Sequence, residues 1–155
     1  MKLVVASCSR APFAWANEAV RDYLGRLAHY GPTDEWILKP SVFHGDVEAV
    51  QRDEGRRLLG RLKPGDHLVV LDERGTLLDT QGWAGILERC ARQGCRRIIF
   101  ALGGPYGHAA AVRERAGTCV SLTPLVLNHQ VARVVVFEQL YRVQALLRGE
   151  PYHHV

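Results

Sequence analysis

The sequence predicts an α/β fold built on a mostly parallel sheet. Two observations carry that expectation. Short apolar, β-branched runs alternate with segments of helical periodicity along the whole chain. Glycine, proline and aspartate punctuate the junctions between them. No internal repeat, low-complexity tract or linker breaks the alternation, so residues 1–155 read as one domain.

Leu3 to Ala6 reads as a buried strand. Pro12 to Ala28 reads as a helix, with Pro12 in its first turn and apolar residues at Trp15, Ala19, Tyr23 and Leu27. Gly31-Pro32 ends it, and Trp36 to Leu38 forms a second strand. Asp46 is the expected N-cap of a helix reaching Leu62. Arg52, Arg56, Arg57 and Arg61 fall near one side of that helix; the spacing suits a solvated face, with an RNA-facing stripe as the alternative. Lys63-Pro64-Gly65-Asp66 is a turn. His67 to Asp72 is the third strand. Thr80 is the expected cap of a helix running to Arg92 and closed by Gly94. Arg97 to Leu102 is the fourth strand, Gly103 to Gly107 a loop, and a short helix follows through Ala116. Thr118 to Leu122 is the fifth strand. Asn128 to Arg148 has conflicting signals: Val134-Val135-Val136-Phe137 favours strand, whereas its length favours helix. We read a helix, apolar around so much of its circumference that it needs cover on more than one side. A dimer interface provides such cover; burial within the monomer is the alternative.

Composition narrows the function classes. Hydrophobic residues make up 47% and charged residues 23%, a globular balance that excludes extensive disorder. The net charge of +4 rests on arginine, since Lys2, Lys39 and Lys63 are the only lysines. This suits a polyanionic partner and equally suits an ordinary soluble protein. Cys8, Cys90, Cys95 and Cys119 form no CxxC pair and no zinc-finger spacing, so we expect reduced thiols and no metal. The apolar start at Leu3 is too short for a signal peptide. No stretch nears the roughly 20 apolar residues of a membrane span. A soluble, cytoplasmic protein is expected.

Ligands of open α/β sheets bind outside the carboxyl ends of the strands. Three such ends stand out: Leu71-Asp72-Glu73-Arg74-Gly75, Gly103-Gly104-Pro105-Tyr106-Gly107, and Leu122 through His129. The glycine loop is neither a Walker loop nor GxGxxG. Its paired glycines permit close backbone approach to a ligand, or simply a tight turn. The third loop is apolar at Leu122, Leu125, Val126 and Leu127, which suits a flat heterocycle or a core link. Glu150-Pro151-Tyr152-His153-His154-Val155 ends the chain with an aromatic ring and two imidazoles. It reads as a tail closing over the cleft; two adjacent histidines without a third partner make a poor metal site.

Together these motifs resemble the RlmH family, a branch of the SPOUT methyltransferases, over essentially the whole chain. The carrying residues are Leu71-Asp72 with Gly75, IIFALGGPYG (Ile98 to Gly107), SLTPLVLNHQVAR (Ser121 to Arg133), EQLYR (Glu138 to Arg142) and PYHH (Pro151 to His154). The chain departs from the family at Val126, where many members have threonine, and at Asn128, where many have proline. The resemblance implies a SPOUT-type α/β knot with a deep trefoil near the C-terminus. It also implies a homodimer joined through the last helix, and S-adenosyl-L-methionine as methyl donor. The implied reaction is methylation of N3 of a pseudouridine in 23S ribosomal RNA on the assembled ribosome. Leu71, Gly103, Gly104, Leu122, Thr123, Pro124, Leu125, Val126 and Leu127 would line the cofactor pocket. Arg142 would be the cation facing the developing negative charge, with a helix-surface salt bridge as the alternative; His153 would be the proton acceptor or a substrate contact, and Tyr152 a stacking or hydrogen-bonding partner of the nucleotide. His129 would orient the cofactor loop or serve as a structural histidine. The alternatives are transfer RNA methylation by the same fold, a nucleotide-binding module without catalysis, and a non-catalytic RNA-binding assembly factor.

Overall fold

A computed structural model describes residues 1–9 and 13–152. Pro12 and its expected role in the first helical turn therefore lie outside the described residues, as do His153 and His154. The elements are β1 (Lys2–Cys8), α1 (Ala14–Leu27), β2 (Thr33–Leu38), α2 (Val47–Leu59), β3 (Asp66–Leu77), α3 (Thr80–Arg92), β4 (Arg97–Leu102), α4 (Ala110–Arg115), β5 (Thr118–Ser121) and α5 (His129–Leu147). The strands form one sheet in the order β2-β1-β4-β3-β5, and every pairing is parallel. All strands therefore present their carboxyl ends at one rim.

Alternation along each strand builds two cores. Leu3, Val5, Val69, Leu71, Ile98 and Phe100 point to the face covered by α1, α3 and α5. Val4, Ala6, Leu68, Val70, Ile99 and Ala101 point to the face covered by α2 and α4. Trp83 of α3 stacks on Phe100 at a centroid distance of 5.3 Å.

The last element is a helix, as its length required. Valines in a helix cost at most about 0.7 kcal/mol each relative to alanine. Val136, Phe137, Leu140 and Val143 are fully buried, and each such burial contributes about 1.5–3 kcal/mol, so packing outweighs propensity. Cover comes from within the chain on the inner sides, since α5 packs against α1, α3 and the sheet. Its outer side leaves Val131, Val135 and Leu147 exposed. Arg133 is buried beneath α5, donating to both carboxylate oxygens of Glu35 on β2 at 2.5 and 2.8 Å and to Asn17 Oδ1 of α1 at 3.0 Å. That network fixes the start of α5 to two other elements.

Several expectations need correction. The third strand does not stop at Asp72. It runs on to Leu77 through an irregularity in which both Leu71 and Thr76 are register partners of Val120. Gly75 lies directly on the Val120 backbone: a Cβ there would stand 2.5 Å from its carbonyl carbon. The segment read as a loop is thus a crossing over β5. Asp79, not Thr80, caps α3, its carboxylate accepting from the Gly82 N–H at 2.8 Å. The Thr80 hydroxyl instead accepts from Gln139 of α5. The buried stripe of α1 is Ala16, Val20 and Leu27, whereas Trp15 is exposed. The cap at Asp46 is as expected, accepting from Ala49 N–H at 3.1 Å. Arg52, Arg56 and Arg57 of α2 have partners within the chain, Arg52 pairing with Asp46 and Glu48 and the other two with Asp53; the helix ends at Leu59 and not at Leu62, and Arg61 beyond it lies over Trp36.

One ion pair makes stability pH-dependent. Asp66 is buried and accepts from Arg97 at 2.8 and 2.5 Å and from the Lys63 N–H at 2.6 Å. Burial alone would raise its pKa, but the hydrogen bonds from Arg97 and Lys63 and the charges of Arg97 and Arg115 outweigh it and hold the carboxyl below its usual range. A depressed folded pKa stabilises fully above the unfolded value of about 3.9 and is lost as pH falls through the folded pKa. Urea midpoints measured against pH should therefore drop below about pH 4, and Asp66→Asn should flatten that acid limb.

Candidate active site

The three turns singled out in the sequence meet at the carboxyl rim. Leu71 through Arg74, Leu102 through Gly107, and Ser121 through Leu127 except Pro124 surround one hollow, joined by His129 and Ala132 of α5. It holds about 1310 Å³ of free space, its open mouth included. Of the sequence-predicted cofactor residues, only Pro124 does not line it.

Each wall has a local cause. The glycine loop closes on itself, Gly107 N–H donating to the Gly104 carbonyl at 2.9 Å, with Gly107 at φ +76°. It is both a tight turn and a wall. Gly103 is packed so closely that a Cβ would stand 3.0 Å from the Gly107 carbonyl carbon. A Cβ on Gly104 would meet the carboxylate of Glu54, a buried residue of α2. The apolar loop is held by Thr123, whose Oγ1 accepts from the Leu125 N–H at 3.1 Å, and by Asn128, which caps α5 through the Gln130 N–H at 2.8 Å. Leu125 and Val126 are left 72% and 95% exposed, far more than a core link allows.

Charge and hydrogen bonding at the hollow come from Asp72 and Arg74, which the sequence places in a turn without a role, and from His129, expected to orient the cofactor loop or to be structural. The Asp72 side chain is almost wholly buried and accepts from Arg74 N–H at 3.0 Å and from its guanidinium at 3.1 Å. Burial would raise its pKa, but these bonds and the Arg74 charge lower it, so it stays ionised. His129 is pulled below its usual pKa by burial and then by the Arg133 charge, against a bond to the Gly103 carbonyl. Its Nε2 is buried without a hydrogen-bond partner among the described residues. An orphaned buried nitrogen costs free energy unless a ligand satisfies it.

The structure gathers Arg142 and Tyr152 into a second cluster. The Arg142 guanidinium lies 4.9 Å from the Tyr152 ring centroid and pairs with Glu138 at 2.5 Å. Tyr152 meets Tyr141 edge-on at 4.6 Å. This cluster is not at the hollow of its own chain. His129 and Arg142 sit on one continuous helix, so they are separated by about 20 Å at 1.5 Å per residue.

A parallel α/β sheet with a ligand-sized hollow at its carboxyl rim, walled by a glycine turn and an apolar loop, defines a small-molecule-binding α/β protein of the open-sheet class. The family model described as "Predicted SPOUT methyltransferase" matches residues 1–153. The chain belongs to the SPOUT methyltransferase family. It is similar to proteins named ribosomal RNA large subunit methyltransferase H. That of Porphyromonas gingivalis is 36% identical over 157 residues, covering 99% of both chains. That of Trichlorobacter lovleyi is 37% identical over 154 residues, covering 99% of this chain and 100% of the relative. That of Gemmatimonas aurantiaca is 38% identical over 154 residues, covering 99% of both. Among the described residues no helix is long and apolar enough to cross a membrane.

Proposed function

We propose that this chain methylates N3 of a pseudouridine in 23S ribosomal RNA, using S-adenosyl-L-methionine and acting on the assembled ribosome in the cytoplasm. The observation that carries the reading is the meeting of three turns, distant in sequence, around one hollow that His129 also lines. The residues present fit the cofactor. Leu71, Leu122 and Leu127 offer apolar walls for a flat heterocycle, and Gly103, Gly104, Thr123, Leu125 and Val126 bring main-chain groups within reach. Glu73, which also lines the hollow, suits a cationic ligand. Bound there, S-adenosylmethionine supplies a methyl group on a positively charged sulfur.

The chain's own residues would do the rest. Arg142 stabilises the negative charge that develops on the pyrimidine ring as N3 loses its proton. Tyr152 stacks on the nucleotide, and His153 accepts the proton. Because about 20 Å of helix separates Arg142 from the hollow of its own chain, these groups serve the hollow of a second copy. A homodimer also covers the exposed Phe13, Trp15, Leu125, Val126, Val131 and Val135.

The test is methyl transfer from S-adenosylmethionine to purified ribosomes lacking the modification, with the product mapped by mass spectrometry. One methylated pseudouridine in the large-subunit RNA is expected; methylated transfer RNA instead would replace the target. Gly104→Val is expected to weaken cofactor binding by about a hundredfold, roughly 3 kcal/mol. The new side chain meets the carboxylate end of buried Glu54, so either that side chain or the glycine turn must shift. Unchanged affinity by calorimetry would remove this turn from the cofactor site.

A further inference from the structure

At the opposite rim, the amino ends of the strands, lies a cluster the reaction does not use. The end of α3 forms a hydrogen-bonded glycine stop. Gly94 adopts φ +70°, its N–H donates to the Ala91 carbonyl at 3.1 Å, and the Cys95 N–H donates to the Cys90 carbonyl at 3.0 Å. This double bond pattern folds the residue after the glycine back onto the one five positions earlier. Here those two residues are both cysteines. His67, at the start of β3, comes up beside them, and one ligand atom from each residue lies within 4.8 Å of the others.

We propose that His67, Cys90 and Cys95 bind one thiophilic divalent cation, with zinc the fitting ion. Two thiolates and an imidazole are the donor set zinc prefers, and their combined charge of −2 neutralises it. Bond lengths of about 2.3 Å to sulfur and 2.0 Å to nitrogen put tetrahedral ligands about 3.4–3.8 Å apart. The trio, within 4.8 Å now, therefore closes by at most about 1.4 Å on binding. Metal entry displaces one proton from each thiol, and the imidazole binds in its neutral form. A solvent molecule takes the fourth position.

The surroundings support the assignment. Cys90 is fully buried on a helix, while Cys95 and His67 are half-buried, which leaves a path from solvent. Burial, then the nearby Arg89 and Arg115 charges, pulls His67 below its usual pKa, so the ring is neutral near pH 7. Burial and then the neighbouring Cys95 thiol push the Cys90 thiol up to about 11, with the Arg89 charge acting against them, so this thiolate forms as the entering cation displaces the proton. His67 Nε2 also lies 2.9 Å from the Thr118 hydroxyl, which fixes the ring. The site ties α3 and the approach to β4 onto β3. His67 is four residues before Leu71, or about 13 Å along the strand from the cofactor hollow, so the ion acts as a clamp and not in catalysis.

The test uses the full chain, reduced with a phosphine and stripped by a chelator, with Co²⁺ as probe. One equivalent should produce a near-ultraviolet thiolate-to-cobalt charge-transfer band with the strong visible bands of four-coordinate cobalt. Added Zn²⁺ should bleach both. Cys95→Ser should abolish the charge-transfer band, and His67→Gln should weaken Zn²⁺ binding by more than about tenfold. The Cys8→Ser/Cys119→Ser double variant should bind normally. Zn²⁺ should also shield Cys95 of the unmutated chain from alkylation, read by peptide mass spectrometry, which does not depend on any variant folding. Absence of the band, its survival in folded Cys95→Ser, or alkylation of Cys95 unaffected by Zn²⁺ would each overturn the proposal.

Discussion

Replacing Arg142 with alanine is expected to leave S-adenosylmethionine affinity unchanged and to lower single-turnover methyl transfer by roughly a hundred- to a thousandfold, the usual cost of removing one group that stabilises developing charge. The separation follows from position. Arg142 lies about 20 Å along α5 from His129 at its own chain's hollow, and in the second copy's hollow its assigned partner is the pyrimidine ring, not the donor. The variant should still fold, because Arg142 is only partly buried and its partner Glu138 keeps solvent access. Sharing of the site between two copies gives a second readout. Arg142→Ala mixed with Gly104→Val should recover part of the activity that each lacks alone, since one hollow in the mixed dimer keeps both an intact cofactor wall and an intact partner arginine. Full activity in the Arg142→Ala single-turnover assay would take Arg142 out of the mechanism; no recovery in the mixture would place donor and arginine in one chain.

The second large effect is on folding. Gly75→Ala is expected to destabilise the protein by about 3 kcal/mol or more, above the usual range for an inserted methyl because the collision is with main chain. The new Cβ would lie 2.5 Å from the Val120 carbonyl carbon and 2.6 Å from its nitrogen. No rotamer relieves a backbone contact. Either β5 leaves its ladder with β3 or the crossing segment lifts away, and both movements open the hollow, whose walls include Arg74 and Ser121. With total stabilities of about 5–15 kcal/mol, such a loss should be plain in urea unfolding. A midpoint within error of the parent would show that the crossing is looser than described.

Much of this was legible in the sequence. Strand and helix identities follow from periodicity and from caps that act within a few residues, such as Asp46 and Gly94. Even α5, whose valines argue for strand, declared itself through length. The glycine loop and the apolar loop were identifiable as rim turns once a parallel sheet was expected. The errors were also physical. Asp79 and Thr80 are both good capping residues, and only the position of the first helical turn separates them. Trp15 matched a helical stripe, but the face that is buried depends on where α5 lies.

By itself, then, the sequence determined the order and kind of the elements and the turns that wall the hollow, because those choices are made by interactions between near neighbours along the chain. The tertiary structure alone decided that Gly75 crosses β5, that Arg142 and Tyr152 stand away from their own chain's hollow, and that His67 joins Cys90 and Cys95. Each of these unites residues far apart in the chain. Such meetings are set by the strand order β2-β1-β4-β3-β5 and by the burial of whole faces, a sum over the entire core that no local stretch of sequence contains.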